Sequence, residues 1–183
     1  MPLSFSDISH AAKRLSLPPC AVKAVVDVES SGSGFLADGR PVIRFEKHIF
    51  LRELKKRGAS ADAIARAGAL SGVRWETLNA AIAIHEEAAL ASASWGLFQI
   101  MGFNHRSCGF ADVHAFVAAM KESEIRQLDA FCTFMINEGL VLLLKGQDWT
   151  GFARRYNGPG YAENNYDNKI RRAFERCCRE MRQ

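Results

Sequence analysis

The chain has 183 residues, of which 48% are hydrophobic and 24% are charged, and these proportions are ordinary for one soluble globular domain. The most apolar stretch, 139–145, is too short to cross a bilayer, which excludes a membrane-spanning helix there. The net charge of +4 lies entirely in residues 169–182, which hold six basic and two acidic residues. We therefore expect a single domain over residues 1–183, with a basic C-terminal helix.

The cysteines and the N-terminus indicate where the chain is made. The five cysteines form no CxxC pair and no zinc spacing, so we expect reduced thiols and a cytoplasmic site of synthesis. We also expect no metal or organic cofactor. The first residues lack a basic segment followed by an apolar run, so no signal peptide is expected.

The second predicted helix carries the main candidate for chemistry. After a first helix within residues 1–17, Val22, Val25, Val26 and Glu29 stand at i, i+3, i+4 and i+7, the spacing of one helix face. A Ser- and Gly-rich stretch ends this helix directly after Glu29. A carboxyl on the core-facing side is partly desolvated, and desolvation raises its pKa, which suits a general acid. The alternative is a solvated Glu that pairs with a nearby Arg.

A small β element is predicted next. Asp38-Gly39 lies between two short apolar runs, which is a hairpin signal, and Pro41 restricts its strand to an edge. Alternation places Arg44 and Glu46 on one side of this strand. We expect an irregular hairpin and no larger sheet.

The rest of the chain has a helical pattern, and the predicted fold is mainly α with one minor hairpin. The predicted helices span 48–57, 61–68, 75–90, 97–101, 110–120, 122–144, 148–156 and 163–181.

Two further segments suggest a binding site. Residues 93–102 surround Gln99 with apolar residues, and the small residues Ser94 and Gly96 permit close approach of a chain or ligand. The alternative is a short buried helix whose Gln is satisfied by backbone. Residues 153–161 end a helix in a Gly-rich turn with two Tyr and one Asn, which suit pyranose rings and acetamido groups. A plain helix stop is the alternative.

These segments, in this order, resemble the motifs of the lysozyme superfamily. Glu29-Ser30, the run 94–101 and the run 155–158 with Tyr161 are similar to motifs of goose-type lysozymes and soluble lytic transglycosylases. Segments 28–30, 44–48 and 94–101 more closely resemble the N-acetylmuramidase domain in endolysins of phages that infect Gram-negative bacteria. The likeness covers about residues 20–175.

The resemblance implies a lysozyme-like α+β fold and cleavage of the β-1,4 bond between N-acetylmuramic acid and N-acetylglucosamine. Glu29 would be the general acid, and the partner would be the glycan strand of peptidoglycan, with no nucleic acid and no second subunit. The enzyme would be made in the host cytoplasm and released to the periplasm by a holin. Members of the family often carry a separate wall-binding domain, but we expect none in this chain, so affinity for the wall would come from the catalytic domain. The implied substrate-binding residues are Ser94, Phe98, Gln99, Tyr156, Asn157 and Tyr161.

A second carboxylate is usually needed for glycoside hydrolysis, and Glu46 is the candidate. The alternative for Glu46 is a salt bridge to Arg44 or Lys47. Some superfamily relatives lack a second acid and can form 1,6-anhydro products instead. A lytic transglycosylase is therefore one alternative, and a non-catalytic wall-binding module is another.

The last helix has an apolar face formed by Tyr166, Ile170, Phe174, Cys177 and Met181. A terminal helix docked on the core, with its charged side in solvent, explains this pattern. The alternative is that its cations contact anionic phospholipid or lipopolysaccharide. The candidate lipid-contacting residues are Lys169, Arg171, Arg172, Arg176 and Arg179.

Overall fold

The structure, a computed structural model, describes residues 3–29 and 32–182. Ser30, part of the predicted Glu-Ser motif, lies outside the described residues. The helices and strands are α1 (Phe5–Leu15), α2 (Pro19–Glu29), β1 (Ile43–Phe45), α3 (Lys47–Lys56), α4 (Ala61–Gly68), α5 (Trp75–Ile82), α6 (Glu86–Ala91), β2 (Ala93–Trp95), β3 (Ile100–Met101), α7 (Val113–Glu122), α8 (Glu124–Asn137), α9 (Leu140–Lys145), α10 (Trp149–Asn157) and α11 (Tyr166–Glu180). Short 3₁₀ turns at Gly102–Asn104 and Pro159–Ala162 complete the described elements.

The first two helices form as their sequence predicts. Ser4 caps α1 by accepting a hydrogen bond from the backbone of Asp7, whose carboxylate accepts one in return from Ser4, a capping box. Helix α2 buries Val22 and Val25 completely, and it packs against α1 and along α11. The periodicity of α2 therefore gave its buried face correctly.

The β structure is larger than predicted. The predicted irregular turn is present, with a bridge between Phe35 and Pro41 around Asp38-Gly39. Strand β1, however, pairs with β2, and β2 pairs with β3, in an antiparallel sheet of order β1-β2-β3. The side-chain alternation in β1 is confirmed, since Phe45 is buried and Arg44 is exposed.

The helix predicted over 97–101 is wrong, because this segment is the turn and second strand of the β2–β3 hairpin. Gly96 and Gln99 have φ angles of 67° and 49°. These left-handed conformations reverse the chain and are incompatible with a right-handed helix.

Two predicted helices are each divided in two. The region 75–90 breaks before α6, where the backbone of His85 is extended and its Nδ1 accepts from the Ala88 N–H. The region 122–144 breaks at Gly139, whose φ is 67°. In both cases the apolar pattern continues across the break, so the pattern alone does not mark it.

The buried residues form one continuous core that includes Trp95, Phe116, Phe131 and Phe152. Helix α11 closes it with Ile170, Ala173 and Cys177. Met181, predicted on the same face, is instead 54% exposed at the helix end.

All five cysteines are free thiols. Of the helices that the structure describes, none is long and apolar enough to span a bilayer.

Candidate active site

A cavity of about 490 Å³ lies where the ends of α2 and α10 meet the β2–β3 turn and the start of α11. Five of the residues singled out in the sequence line it, although they come from segments far apart in the chain. They are Glu29, Phe98, Gln99, Tyr156 and Asn157. The remaining lining residues are Val28, Ile100, Met101, Asn104, Phe134 and Tyr166.

Glu29 is the last residue of α2 and is partly buried. Burial raises the pKa of its carboxyl to about 7, although a hydrogen bond from Asn157 and the positive charge of Lys169 both act to lower this pKa. The Asn157 Nδ2 atom donates to Glu29 Oε1 at 3.0 Å. A carboxyl with this pKa is still substantially protonated near neutral pH, so it can donate a proton to a bound substrate.

Gln99 is fixed within the β2–β3 hairpin. Its Nε2 donates to the carbonyl of Gly96 at 2.8 Å and of Val42 at 3.3 Å, and its Oε1 accepts from the Ser94 hydroxyl at 2.8 Å. Ser94 itself is buried and does not line the cavity. The Ser94 hydroxyl therefore holds the Gln99 side chain in place, and two backbone carbonyls accept the hydrogen bonds of the Gln99 amide nitrogen.

Tyr156 joins α10 to the same hairpin. Its hydroxyl donates to the Phe98 carbonyl at 2.8 Å, and its ring stacks near Phe152 and meets Phe131 edge-on. Burial raises the pKa of Tyr156 well above its usual value, so the hydroxyl stays neutral. Tyr156 thus holds two walls of the cavity together.

Tyr161 lies in the 3₁₀ turn after α10, beneath the guanidinium group of Arg154 at 5.8 Å from the ring centroid. It does not line the cavity. Tyr166, at the start of α11, lines the cavity instead. Sequence analysis predicted Tyr166 only as part of an apolar helix face, so its position in the cavity wall was missed.

Two buried polar residues that the sequence did not single out support this region. Glu124 accepts hydrogen bonds from the backbone N–H of Gly34 at 2.7 Å and of Leu3 at 3.2 Å. Gln127 accepts from the Leu97 N–H at 2.7 Å and donates to the Met120 carbonyl at 2.8 Å. Both residues lie at the start of α8, and no local sequence pattern predicts these contacts.

The close approach predicted at Gly96 is made by the protein itself. A Cβ atom at Gly34 or at Gly96 would overlap the amide of Gln127. These glycines therefore allow α8 to pack closely against the segment after α2 and against the β2–β3 turn.

Glu46 precedes α3 and does not line the cavity. Its carboxylate accepts from Arg44 Nε at 2.7 Å, which is the ion pair considered as an alternative to a catalytic role. Among the residues that the structure describes, Glu29 is the only carboxylate in the cavity wall. The catalytic role of Glu46 stays a prediction.

The predicted lipid-contacting residues are distributed over different sides of α11. Lys169, Arg172 and Arg176 line a groove against α2, whereas Arg171 pairs with Glu175 at 3.6 Å. Arg179 is exposed near the end of the helix.

Over residues 3–29 and 32–182, no three His, Cys, Asp or Glu side chains are grouped as metal ligands.

A partly buried acid at a helix end, facing a cavity beside a small sheet, is the kind of site that a lysozyme-like glycosidase uses. Residues 18–178 match the family model described as N-acetylmuramidase. The chain belongs to the N-acetylmuramidase family, and it is a glycoside hydrolase that degrades peptidoglycan.

The structural comparison agrees with the family. The chain is similar to the crystal structure of the Burkholderia AP3 phage endolysin, with 44% identity and a TM-score of 0.89, over 97% of this chain and 72% of that one. Comparison with curated proteins gives no match. The resemblance and the mainly α lysozyme-like fold predicted from the sequence are confirmed.

Proposed function

We propose that this muramidase cleaves the β-1,4 bond between N-acetylmuramic acid and N-acetylglucosamine, with Glu29 as the general acid. One observation carries the proposal: Glu29 faces the cavity, and burial raises its pKa to about 7. The cavity volume of about 490 Å³ falls in the ~300–1,000 Å³ range of ligand sites.

In the proposed reaction, protonated Glu29 transfers its proton to the glycosidic oxygen as the bond to the muramic acid carbon breaks. The Glu29 carboxylate that results is stabilised by the Asn157 amide and by the charge of Lys169. The same carboxylate then accepts the proton of the group that attacks the sugar. Asn157 therefore keeps the acid oriented, and burial keeps it protonated until the substrate arrives.

The attacking group distinguishes the two outcomes that the site supports. Hydrolysis by a two-acid route needs a second carboxyl near the first, at about 5–5.5 Å for retention or about 6.5–9.5 Å for inversion. The described wall of the cavity supplies none besides Glu29. This favours a route in which Glu29 serves alone, so a lytic transglycosylase, in which the 6-hydroxyl of the muramic acid attacks, is the second candidate.

Mass spectrometry of digested peptidoglycan tests the proposal. Fragments with reducing N-acetylmuramic acid ends support hydrolysis at the proposed bond, and 1,6-anhydro ends support the second candidate. Fragments with reducing N-acetylglucosamine ends would contradict both, because they require cleavage of the other glycosidic bond.

The biological setting that we propose is lysis of a bacterial host at the end of phage infection, as the description of the AP3 phage protein suggests. The chain would be made in the host cytoplasm and would reach the periplasmic peptidoglycan, as a monomer, through a holin. Expression in a Gram-negative host tests this: lysis should need coexpressed holin, and lysis without any membrane permeabilisation would contradict it.

The proposal also includes contact between the basic C-terminal end of α11, around Arg179, and anionic outer-membrane lipid. Cations on an amphipathic helix favour such surfaces. Cosedimentation with vesicles that contain phosphatidylglycerol should be weakened by Arg179→Gln. Equal binding to neutral vesicles would contradict this part of the proposal.

A further inference from the structure

A second groove adjoins the catalytic cavity. It has a volume of about 340 Å³, and Asp27 and Val28 at the end of α2 form one side of it. Val28 also lines the catalytic cavity, and Glu29 is the next residue in the chain. The groove and the catalytic cavity therefore share Val28 in their walls. The other side of the groove consists of Lys169, Arg172, Ala173 and Arg176 of α11.

The charge of this groove is mostly positive. Its one carboxylate, Asp27, already accepts from Lys23 Nζ at 2.8 Å and lies 3.9 Å from Arg176. In the part of the chain that the structure describes, no carboxylate lies within 4 Å of the charged groups of Lys169 or Arg172. The positive charges of the groove therefore favour an anionic ligand.

Lys169 connects the groove with the catalytic cavity. Its Nζ lies 5.4 Å from the ring centroid of Tyr166, which lines the catalytic cavity. Its positive charge also acts on the Glu29 carboxyl. An anion bound to Lys169 therefore lies at the edge of the catalytic cavity, beside Tyr166.

The chemistry of peptidoglycan supplies such an anion. Its glycan backbone is uncharged, whereas the lactyl group of each muramic acid carries a peptide with free carboxylates. We propose that the groove formed by Lys169, Arg172 and Arg176 binds the carboxylates of this stem peptide while the glycan occupies the catalytic cavity. The inference rests on the proposed function, and it assigns a second part of the substrate to a second site.

Binding at this groove orients the substrate. A contact made away from the reacting bond holds the glycan in register with Glu29 and raises the rate. Glycan that keeps its stem peptides is therefore the better substrate, and the preference weakens as salt screens the exposed charges.

The test compares uncross-linked peptidoglycan strands with the same strands after an amidase has removed their peptides. The amidase leaves a carboxylate on each lactyl group, so the comparison isolates the carboxylates of the peptide itself. For the wild-type protein, kcat/KM should be roughly three- to tenfold higher on the peptide-bearing strands, the range for ionic hydrogen bonds at a partly exposed site. Arg172→Gln should abolish most of this difference. The matched control is Arg171→Gln on the adjacent residue, which pairs with Glu175 outside the groove and should keep the difference.

Three results would overturn the inference. The first is no preference for peptide-bearing strands in the wild-type protein. The second is an equal loss on both substrates in Arg172→Gln. The third is a loss of binding to phosphatidylglycerol vesicles in that variant with the substrate preference unchanged, which would make the groove a lipid site.

Binding measurements separate this inference from the proposed function. Calorimetry with Glu29→Gln, alone and combined with Arg172→Gln, gives the affinity for each kind of strand without cleavage. If the wild-type protein releases no fragments from either substrate, the proposed function fails. A difference in affinity that depends on Arg172 would still support the groove, and its absence would reject the groove.

Discussion

Asn157 donates a hydrogen bond to Glu29 across 128 residues of sequence, from Nδ2 to Oε1 at 3.0 Å. The bond joins the last residue of α10 to the last residue of α2. It fixes one carboxyl oxygen, which leaves the other to carry the proton toward the cavity. The two helices thus meet at the atom on which the proposed chemistry depends.

Loss of the Asn157 amide should change the pH dependence of the reaction. The hydrogen bond favours the charged carboxylate, so Asn157→Ala should raise the pKa of Glu29 above about 7. A general acid is active while protonated, so the alkaline limb of the kcat profile should move to higher pH. Poorer orientation should also lower kcat at its optimum by about three- to tenfold.

Asn168→Ala provides the matched control, because Asn168 is exposed on α11 and its side chain forms hydrogen bonds only with Asp167 and Arg171 among the residues that the structure describes. The alkaline limb of the kcat profile of Asn168→Ala should coincide with that of the wild-type protein. A limb that stays in place or moves to lower pH in Asn157→Ala would contradict the role of this hydrogen bond.

Glu29 should also make the stability of the protein depend on pH. Its pKa is about 7 in the folded state against 4.5 for an ordinary Glu, so the folded protein holds the proton more tightly than the unfolded chain. This contribution is fully present below pH 4.5 and is lost as the pH rises through 7, by about 3 kcal/mol in total.

Gln cannot titrate, so the free energy of unfolding of Glu29→Gln relative to that of the wild-type protein should rise by about 3 kcal/mol from pH 4 to pH 8. Urea unfolding of both proteins at the two pH values measures this difference. The same difference at pH 4 and pH 8 would show that the carboxyl is not desolvated in the folded protein.

Tyr156 is expected to act by holding the site together. Tyr156→Phe removes the hydrogen bond to the Phe98 carbonyl and should lower the free energy of unfolding by about 1–2 kcal/mol. Tyr161→Phe is the control and should change stability little, because its hydroxyl makes no hydrogen bond within the described residues. A raised KM in Tyr156→Phe without loss of stability would instead indicate that its hydroxyl binds the glycan.

Glu46→Gln decides whether a second acid takes part. Because the Glu46 carboxylate pairs with Arg44 and does not line the cavity, we expect kcat to fall less than about tenfold, below the ~10²-fold minimum typical of acid–base groups. Arg44→Gln breaks the same ion pair and should give a similar small loss. A hundredfold loss in Glu46→Gln alone would place Glu46 in the mechanism.

The position of the acid and the burial of its helix face could be predicted because both depend on local periodicity. The spacing of Val22, Val25 and Glu29 places all three on one face, and the structure buries this face against α11. Similarly, the predicted helix over 61–68 matches α4, whose N-cap Ser60 and apolar spacing are local signals.

The β2–β3 hairpin shows where local patterns fail. Its apolar residues suit a short helix equally well, and its left-handed residues are held by distant partners. Gln99 donates to the Val42 carbonyl, and Gly96 bonds to the same carbonyl through its N–H. Such contacts depend on the tertiary fold, so periodicity does not show them.

The partners of the site were also hidden in the sequence for this reason. Asn157 was singled out as a sugar contact, yet its bond to Glu29 exists only because α2 and α10 both pack on α11. Gln127 lies within an amphipathic helix and has no local feature that marks its contact with Gly34 and Gly96.

The central claim is that the proton of Glu29 cleaves the glycan, and the release of soluble fragments from purified peptidoglycan by Glu29→Gln tests it most directly. The amide keeps the shape of the side chain but cannot supply the proton, so the rate should fall by at least about a hundredfold while circular dichroism shows an unchanged fold. A folded Glu29→Gln protein that releases fragments at nearly the wild-type rate would contradict the claim.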